Sequence, residues 1–290
     1  MHASSRAALA EVRERLAALG RPSSGMLDRA RDRLTGTPRA LSGEELAGLA
    51  DELFAVARLL EGQPSLRRAL SDPSGKPDER AGLARRLLSG KVSDAALDLV
   101  EAMARQRWSR PLDLVEAAET LGVEAALDAA DASGQLDGVE DELFRFGRIV
   151  AADPDLSRVL SDRSAPARGK AELLDRLLAN KVNPVTALLL RNVLTGSHIG
   201  TAEVAIERLS ETAAARRGQS VAHVTSAVPL TAAQEQRLTQ ILGRLYGRTV
   251  GLQVTVDPDV LGGLVIRVGD EVIDGSVVHR LEAAGRRLTG

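Results

Sequence analysis

The chain has 290 residues, long for one small core and suited to two or three domains. Its balance of 44% apolar and 27% charged residues is that of a water-soluble globular protein, while 2% aromatics are too few for an aromatic-lined enzyme cleft or an RNA-stacking surface. A net charge of −2 excludes a global basic field for nucleic acid, and the lack of cysteine excludes disulfides, thiolate metal sites and cysteine nucleophiles.

From Ser5 to about Arg217 the apolar period is helical. Leu9, Val12, Leu16 and Leu19 recur at steps of three and four, as do Leu46, Leu49, Leu53, Val56, Leu59 and Leu60. Between these runs Gly20 to Ser42 collects Pro22, Pro38 and several glycines, and reads as a connection. No apolar run approaches the ~18 residues of a membrane span. The N-terminal residues lack an apolar stretch after Arg6, so no signal peptide is expected.

The strongest internal signal is a repeat at an offset of 90. Asp51-Glu-Leu-Phe54 recurs as Asp141-Glu-Leu-Phe144, and Leu70-Ser-Asp72 as Leu160-Ser-Asp162. Of the 42 pairs between Asp51 and Val92, 19 are identical, where chance gives roughly three. Each copy reads as a long helix, a short helix opened by Pro64 or Pro154, and further amphipathic helices. Proline is tolerated there because its missing N–H would be unpaired anyway. Two bundles are expected, joined through residues 111 to 131, with Leu53 and Leu143, Leu66 and Leu156, Leu83 and Leu173, and Leu87 and Leu177 filling matched core sites.

At Gly218 the pattern changes. Val221 to Val228 is rich in β-branched residues, and Thr231 to Gln234 forms a capping box before a helix with Leu238, Ile241, Leu242 and Leu245 on one face. Leu252, Val254 and Val256 alternate, and Leu264, Ile266 and Val268 alternate again. Gly269-Asp270 then predicts a tight hairpin turn, and Ser276 caps a last helix with Leu281 and Leu288 along one stripe. The expected fold is mainly α: helical bundles over 1–110 and 111–217, then a small α+β domain over 218–290.

Chemistry is hard to find. Ser74-Gly-Lys76 resembles the end of a phosphate loop, but position 70 is Leu where the loop requires Gly, and no strand precedes it. Gly196 and Gly200 flank His198 without a strand before them, and the four histidines have no metal-ligand spacing. Asp270, Glu271 and Asp274 fit turn chemistry better than acid–base work. Gly262-Gly263 before an apolar strand marks a sheet bend or a close backbone approach, and Trp108 an anchor in the core or a loop. No catalytic residue, cofactor or metal site is expected.

One stretch has a family character. Leu261-Gly-Gly-Leu-Val-Ile-Arg-Val-Gly-Asp-Glu-Val-Ile-Asp-Gly-Ser276, followed by Val277-Val-His-Arg-Leu281, resembles the C-terminal signature of F-type ATP synthase delta subunits, the family of the mitochondrial oligomycin sensitivity conferral protein. Gly134-Gln-Leu-Asp137 with Val139-Glu140 and Glu142-Leu143 resembles the start of that family's helical domain. The resemblance runs from about Leu112 to Gly290, so residues 1 to 110 form an additional copy, as in a long actinobacterial form. The chain departs from the family near Val123 and near Asp128, where the resemblance implies aromatics.

The resemblance implies a non-catalytic stator subunit on the cytoplasmic face of the plasma membrane, peripheral and held there by the complex, in one copy. Its helical part would grip the N-terminal segments of the alpha subunits, and its C-terminal domain the peripheral-stalk b subunit. No nucleic acid and no direct membrane insertion are implied. Gly262, Gly263, Leu264, Ile266, Gly269, Asp270, Asp274, Gly275, Ser276, Arg280 and Leu281 are the signature and interface candidates. The alternative is a generic helical scaffold with other partners.

Overall fold

A computed structural model describes residues 2–20, 40–196, 200–219, 221–246, 250–257, 263–268 and 271–274. Among them α1 spans Ala3–Gly20, α2 Gly43–Gly62, α3 Pro64–Ser71, α4 Pro77–Leu88, α5 Asp94–Arg105 and α6 Pro111–Ala132. Then follow α7 Leu136–Ala152, α8 Pro154–Ser161, α9 Ala167–Leu178, α10 Pro184–Thr195 and α11 Ala202–Gln219. The C-terminal part holds β1 Val221–Ser226, α12 Ala232–Tyr246, β2 Gly251–Val256, β3 Leu264–Val268 and β4 Glu271–Asp274. The chain is mainly α with one small sheet.

Local chemistry starts the helices where the sequence says. Ser42 and Glu45 close a reciprocal capping box on α2, with Ser42 N donating to Glu45 Oε2 at 2.8 Å. Thr231 and Gln234 do the same for α12. Pro64, Pro77, Pro111, Pro154 and Pro184 each stand in the first turn of a helix. Gly20 to Ser42 as a connection falls largely outside the described residues. Where the chain returns, Leu41 N donates to Leu19 O at 2.8 Å.

The repeat is visible in the coordinates. α3, α4 and α5 recur 90 residues later as α8, α9 and α10, boundary for boundary. Helix α4 is followed by Gly90 at φ 72°, and α9 by Asn180 at φ 56°, the non-glycine residue that tolerates the left-handed conformation best. Asp72 accepts from Ser74 N at 2.9 Å, and Asp162 from Ser164 N at 2.8 Å. By the same offset α11 is the counterpart of α6. Helix α6 therefore closes the first copy and opens the second.

One continuous apolar core runs from Ala8 to Ala213, with α6 at its centre and packed most extensively on α2. Leu53 and Leu143 are both fully buried, while Leu66, Leu83, Leu156 and Leu173 pack against the core from its margin. Leu177 packs against the core from its margin too, but Leu87 differs from expectation. Leu87 is exposed, and it is Leu88 and Leu178, one position further round the helix, that are buried. Trp108 is buried and donates its indole N–H to Met103 O at 2.9 Å, so it anchors the end of α5.

Arg80 fastens the first copy internally. It is buried, and all five of its N–H groups find backbone carbonyls. Nε reaches Ala104 O at 2.7 Å; Nη1 reaches Asp72 O and Gly75 O at 2.6 and 2.8 Å; Nη2 reaches Arg105 O and Gln106 O at 3.0 Å each. The carbonyls left open at the end of α5 and after α3 thus converge on one cation. Lys170 takes the matched position in the second copy and donates to Leu160 O at 2.9 Å.

The sheet has order β2-β1-β3-β4, with β1–β2 parallel and the other pairs antiparallel. Ala222, Val224, Ile266 and Val268 share its covered face with Leu242 of α12 and form a second, separate core. Of the expected stripe on α12, Leu242 is buried, but Ile241 and Leu245 stand exposed, because the stripe is wider than the face the sheet covers.

Candidate docking surfaces

A concavity lies at the seam between the two copies. Helices α1, α2, α6, α10 and α11 enclose a groove of about 510 Å³. Leu9, Phe54, Val123 and Val204 line its apolar part, and Arg13, Glu116, Glu119, Glu124 and Arg208 its charged part. Val123 and Asp128 face this seam: Val123 lines the groove, and Asp128 forms an ion pair with Arg216 beside it.

The walls are fixed by cross-helix bonds. Arg13 Nε donates to Glu124 Oε1 at 2.7 Å, tying α1 to α6. Ser5 Oγ donates to Asp113 Oδ2 at 2.7 Å and accepts Ser109 N at 2.8 Å. Burial alone would push the Asp113 carboxyl up, but the Ser5 hydroxyl and the Arg110 guanidinium outweigh it and hold it below the usual range. The Phe54 ring lies over Gly122 so closely that a Cβ there would sit 3.1 Å from two ring carbons. Glu119 is the perturbed group of the seam. Burial first, then the neighbouring Glu61 and Glu116, raises its carboxyl to about 7.

Among the described residues there is no group of three or more metal-ligating side chains. An apolar groove with a charged rim between helices is suited instead to receiving a helix from a partner.

Of the C-terminal signature residues, Gly263, Leu264, Ile266 and Asp274 lie among the described residues. Gly263 precedes β3 at φ 86°, in the left-handed region that glycine occupies without strain. Leu264 is half-buried and Ile266 buried within β3, both on the covered face. Asp274 pairs with Val265 at the end of β4. Pairing of β3 with β4 starts at Val268 and Glu271, the residues on either side of the expected turn. Gly262, Gly269, Asp270, Gly275, Ser276, Arg280 and Leu281 lie outside the described residues, as does the expected last helix. Sequence reasoning missed Tyr246, whose hydroxyl donates to Glu271 Oε2 at 3.0 Å and ties α12 to β4. Val228 and Val272 are also exposed apolar residues of this domain.

Residues 123–288 match the family model described as ATP synthase delta (OSCP) subunit. The chain belongs to the ATP synthase delta family.

One of its relatives agrees over the full length. A Streptomyces griseus protein named ATP synthase subunit delta is 46% identical over 290 residues, all of both chains. A Parafrankia protein of the same name is 49% identical over 84% of this chain and 88% of its own, and one from Nocardia farcinica 48% over 86% and 93%. The first repeat copy, which precedes the family match, is thus shared with the Streptomyces relative. Family membership makes the chain a non-catalytic subunit of the ATP synthase complex. None of the helices among the described residues is long and apolar enough to cross a membrane.

Proposed function

We propose that the chain is the stator link of the synthase. Its helical part grips N-terminal segments of the alpha subunits on the catalytic head, its C-terminal domain holds the peripheral-stalk b subunit, and together they resist the torque of the rotor. One copy per complex, on the cytoplasmic face of the membrane, suits that role. The reading divides the chain at 1–110, 111–217 and 218–290, with the second copy and the signature region carrying the contacts and the first copy as an added module.

The observation that supports it most is the pair of separate apolar cores, one helical and one in the sheet domain. A link between two partners needs two bodies that each keep their shape under load. The signature residues Gly263, Leu264, Ile266 and Asp274 then act by shaping the stalk-binding sheet, with Gly262, Gly269, Asp270, Gly275, Ser276, Arg280 and Leu281 completing that surface. The test is reconstitution: depleted synthase should regain coupling of proton flow to ATP synthesis when the chain is added back. Unchanged coupling with and without it sinks the proposal.

A further inference from the structure

The two copies differ sharply at one aromatic. Phe54 of α2 and Phe144 of α7 occupy matched positions, yet Phe54 is 3% exposed and Phe144 59%. Phe54 is closed over by Gly122 of α6, and the crevice beside it is lined by Asn192 and Gly196 at the end of α10. Helix α10 belongs to the second copy, so the crevice beside the first copy's aromatic is walled in part by a helix end from the next unit. The second copy has no such successor, because the chain passes from α11 into β1.

The corresponding groove, between α7 and α11, is open and holds about 420 Å³. Phe144 and Ala214 form its apolar part, and Asp137, Asp141, Glu207 and Glu211 stand around them. The first-copy counterparts of Asp137, Glu207 and Glu211 are Ala47, Ala117 and Leu121, of which Ala117 and Leu121 are fully buried. The second copy thus carries carboxylates where the first carries apolar residues, and among the described residues Phe144 is left uncovered. The lining cation Arg217 is already paired with Glu140 at 2.8 Å and with Asp137 at 4.0 Å, and Asp141 with Arg145 at 2.5 Å, which leaves Glu207 and Glu211 dominating the rim.

We propose that the α7–α11 groove docks a basic amphipathic helix from another subunit of the complex, whose apolar face covers Phe144 and whose Lys or Arg side chains meet Glu207 and Glu211. The proposal rests on the chain's place in the synthase. The helix-in-groove mode follows from an open groove between two helices whose exposed aromatic has its counterpart packed against a helix in the first copy, and the basic partner follows from charge complementarity.

The test uses the full-length chain and purified synthase depleted of it. A Phe144→benzoylphenylalanine variant, assembled and irradiated, is expected to crosslink to a Lys- or Arg-rich helical segment of another subunit. The double substitution Glu207→Lys with Glu211→Lys should weaken assembly at least tenfold, and Phe144→Ala by a similar factor, with thermal unfolding unchanged because all three side chains are exposed. The proposal is overturned by a crosslink to a second copy of this chain or to an acidic or non-helical segment. No adduct in a fully assembled complex also overturns it, as does an affinity within twofold of wild type for both variants. If the unmodified chain itself fails to enter the complex, the stator reading falls and takes the groove with it.

Discussion

Glu52 reaches from α2 to the start of α5, where its carboxylate accepts the backbone N–H of Ser93 at 2.8 Å and the Ser93 hydroxyl at 2.5 Å. At the matched position Glu142 of α7 accepts Asn183 N at 2.8 Å and the Thr186 hydroxyl at 2.5 Å, at the start of α10. The duplication therefore preserves a long-range cap as well as an apolar pattern. Each glutamate satisfies an N–H that its helix leaves open and places negative charge at the positive end of the helix dipole. Glu52→Ala and Glu142→Ala should each cost about 1–2 kcal/mol. The two losses should add, since the sites share no partner. Urea unfolding of the single and double variants measures this; a cost below about 0.3 kcal/mol for both would remove the cap from the account.

Arg80 should be irreplaceable by lysine. Lysine offers three donors where five carbonyls now converge, so at least two are left without this partner. Arg80→Lys should lose about 2–4 kcal/mol of stability. Equal urea midpoints for the variant and the wild type would show that water fills the gap.

The seam should respond to pH through Glu119. Its folded pKa, raised to about 7, lies above the ordinary value of 4.5. The favourable contribution is thus fully present below about 4.5 and lost as pH rises through about 7. The loss amounts to at most about 3 kcal/mol. Glu119→Gln, which stays neutral, should be more stable than wild type at pH 8 and little different at pH 5. An identical pH profile for the two proteins would contradict the burial of this carboxylate.

Two glycines in helices should give opposite signs. Gly122→Ala forces a methyl into the Phe54 ring and should destabilise by about 1–2 kcal/mol despite the gain in helix propensity. Gly48 in α2 has nothing within 4 Å of a built Cβ, so Gly48→Ala should stabilise by about 0.5–1 kcal/mol. Thermal unfolding compares them directly.

Features set by neighbours in sequence were legible, and those set by convergence were not. The prolines at helix starts, the Thr231–Gln234 box and the 90-residue offset are local signals. Leu87 and Leu88 form an apolar doublet, and periodicity does not say which member faces inward. Arg80 gave no sign, because its role exists only where the ends of α3 and α5 meet. Glu119 and Phe144 were unreadable for the same reason: one is buried by α2 and α10 across the seam, the other exposed because no third unit follows. Of the signature in the C-terminal domain, Ile266 was readable as a buried strand residue from its alternation alone.

The division of labour between the two cores is the central claim, and truncation tests it most directly. A chain ending at residue 217 keeps the whole helical core, from Ala8 to Ala213, and loses the sheet. Its binding to the catalytic head and to the isolated b subunit should be measured against the full chain by calorimetry. The account predicts full-chain affinity for the head and no measurable affinity for b. Capture of b at full affinity by residues 1–217 would contradict it.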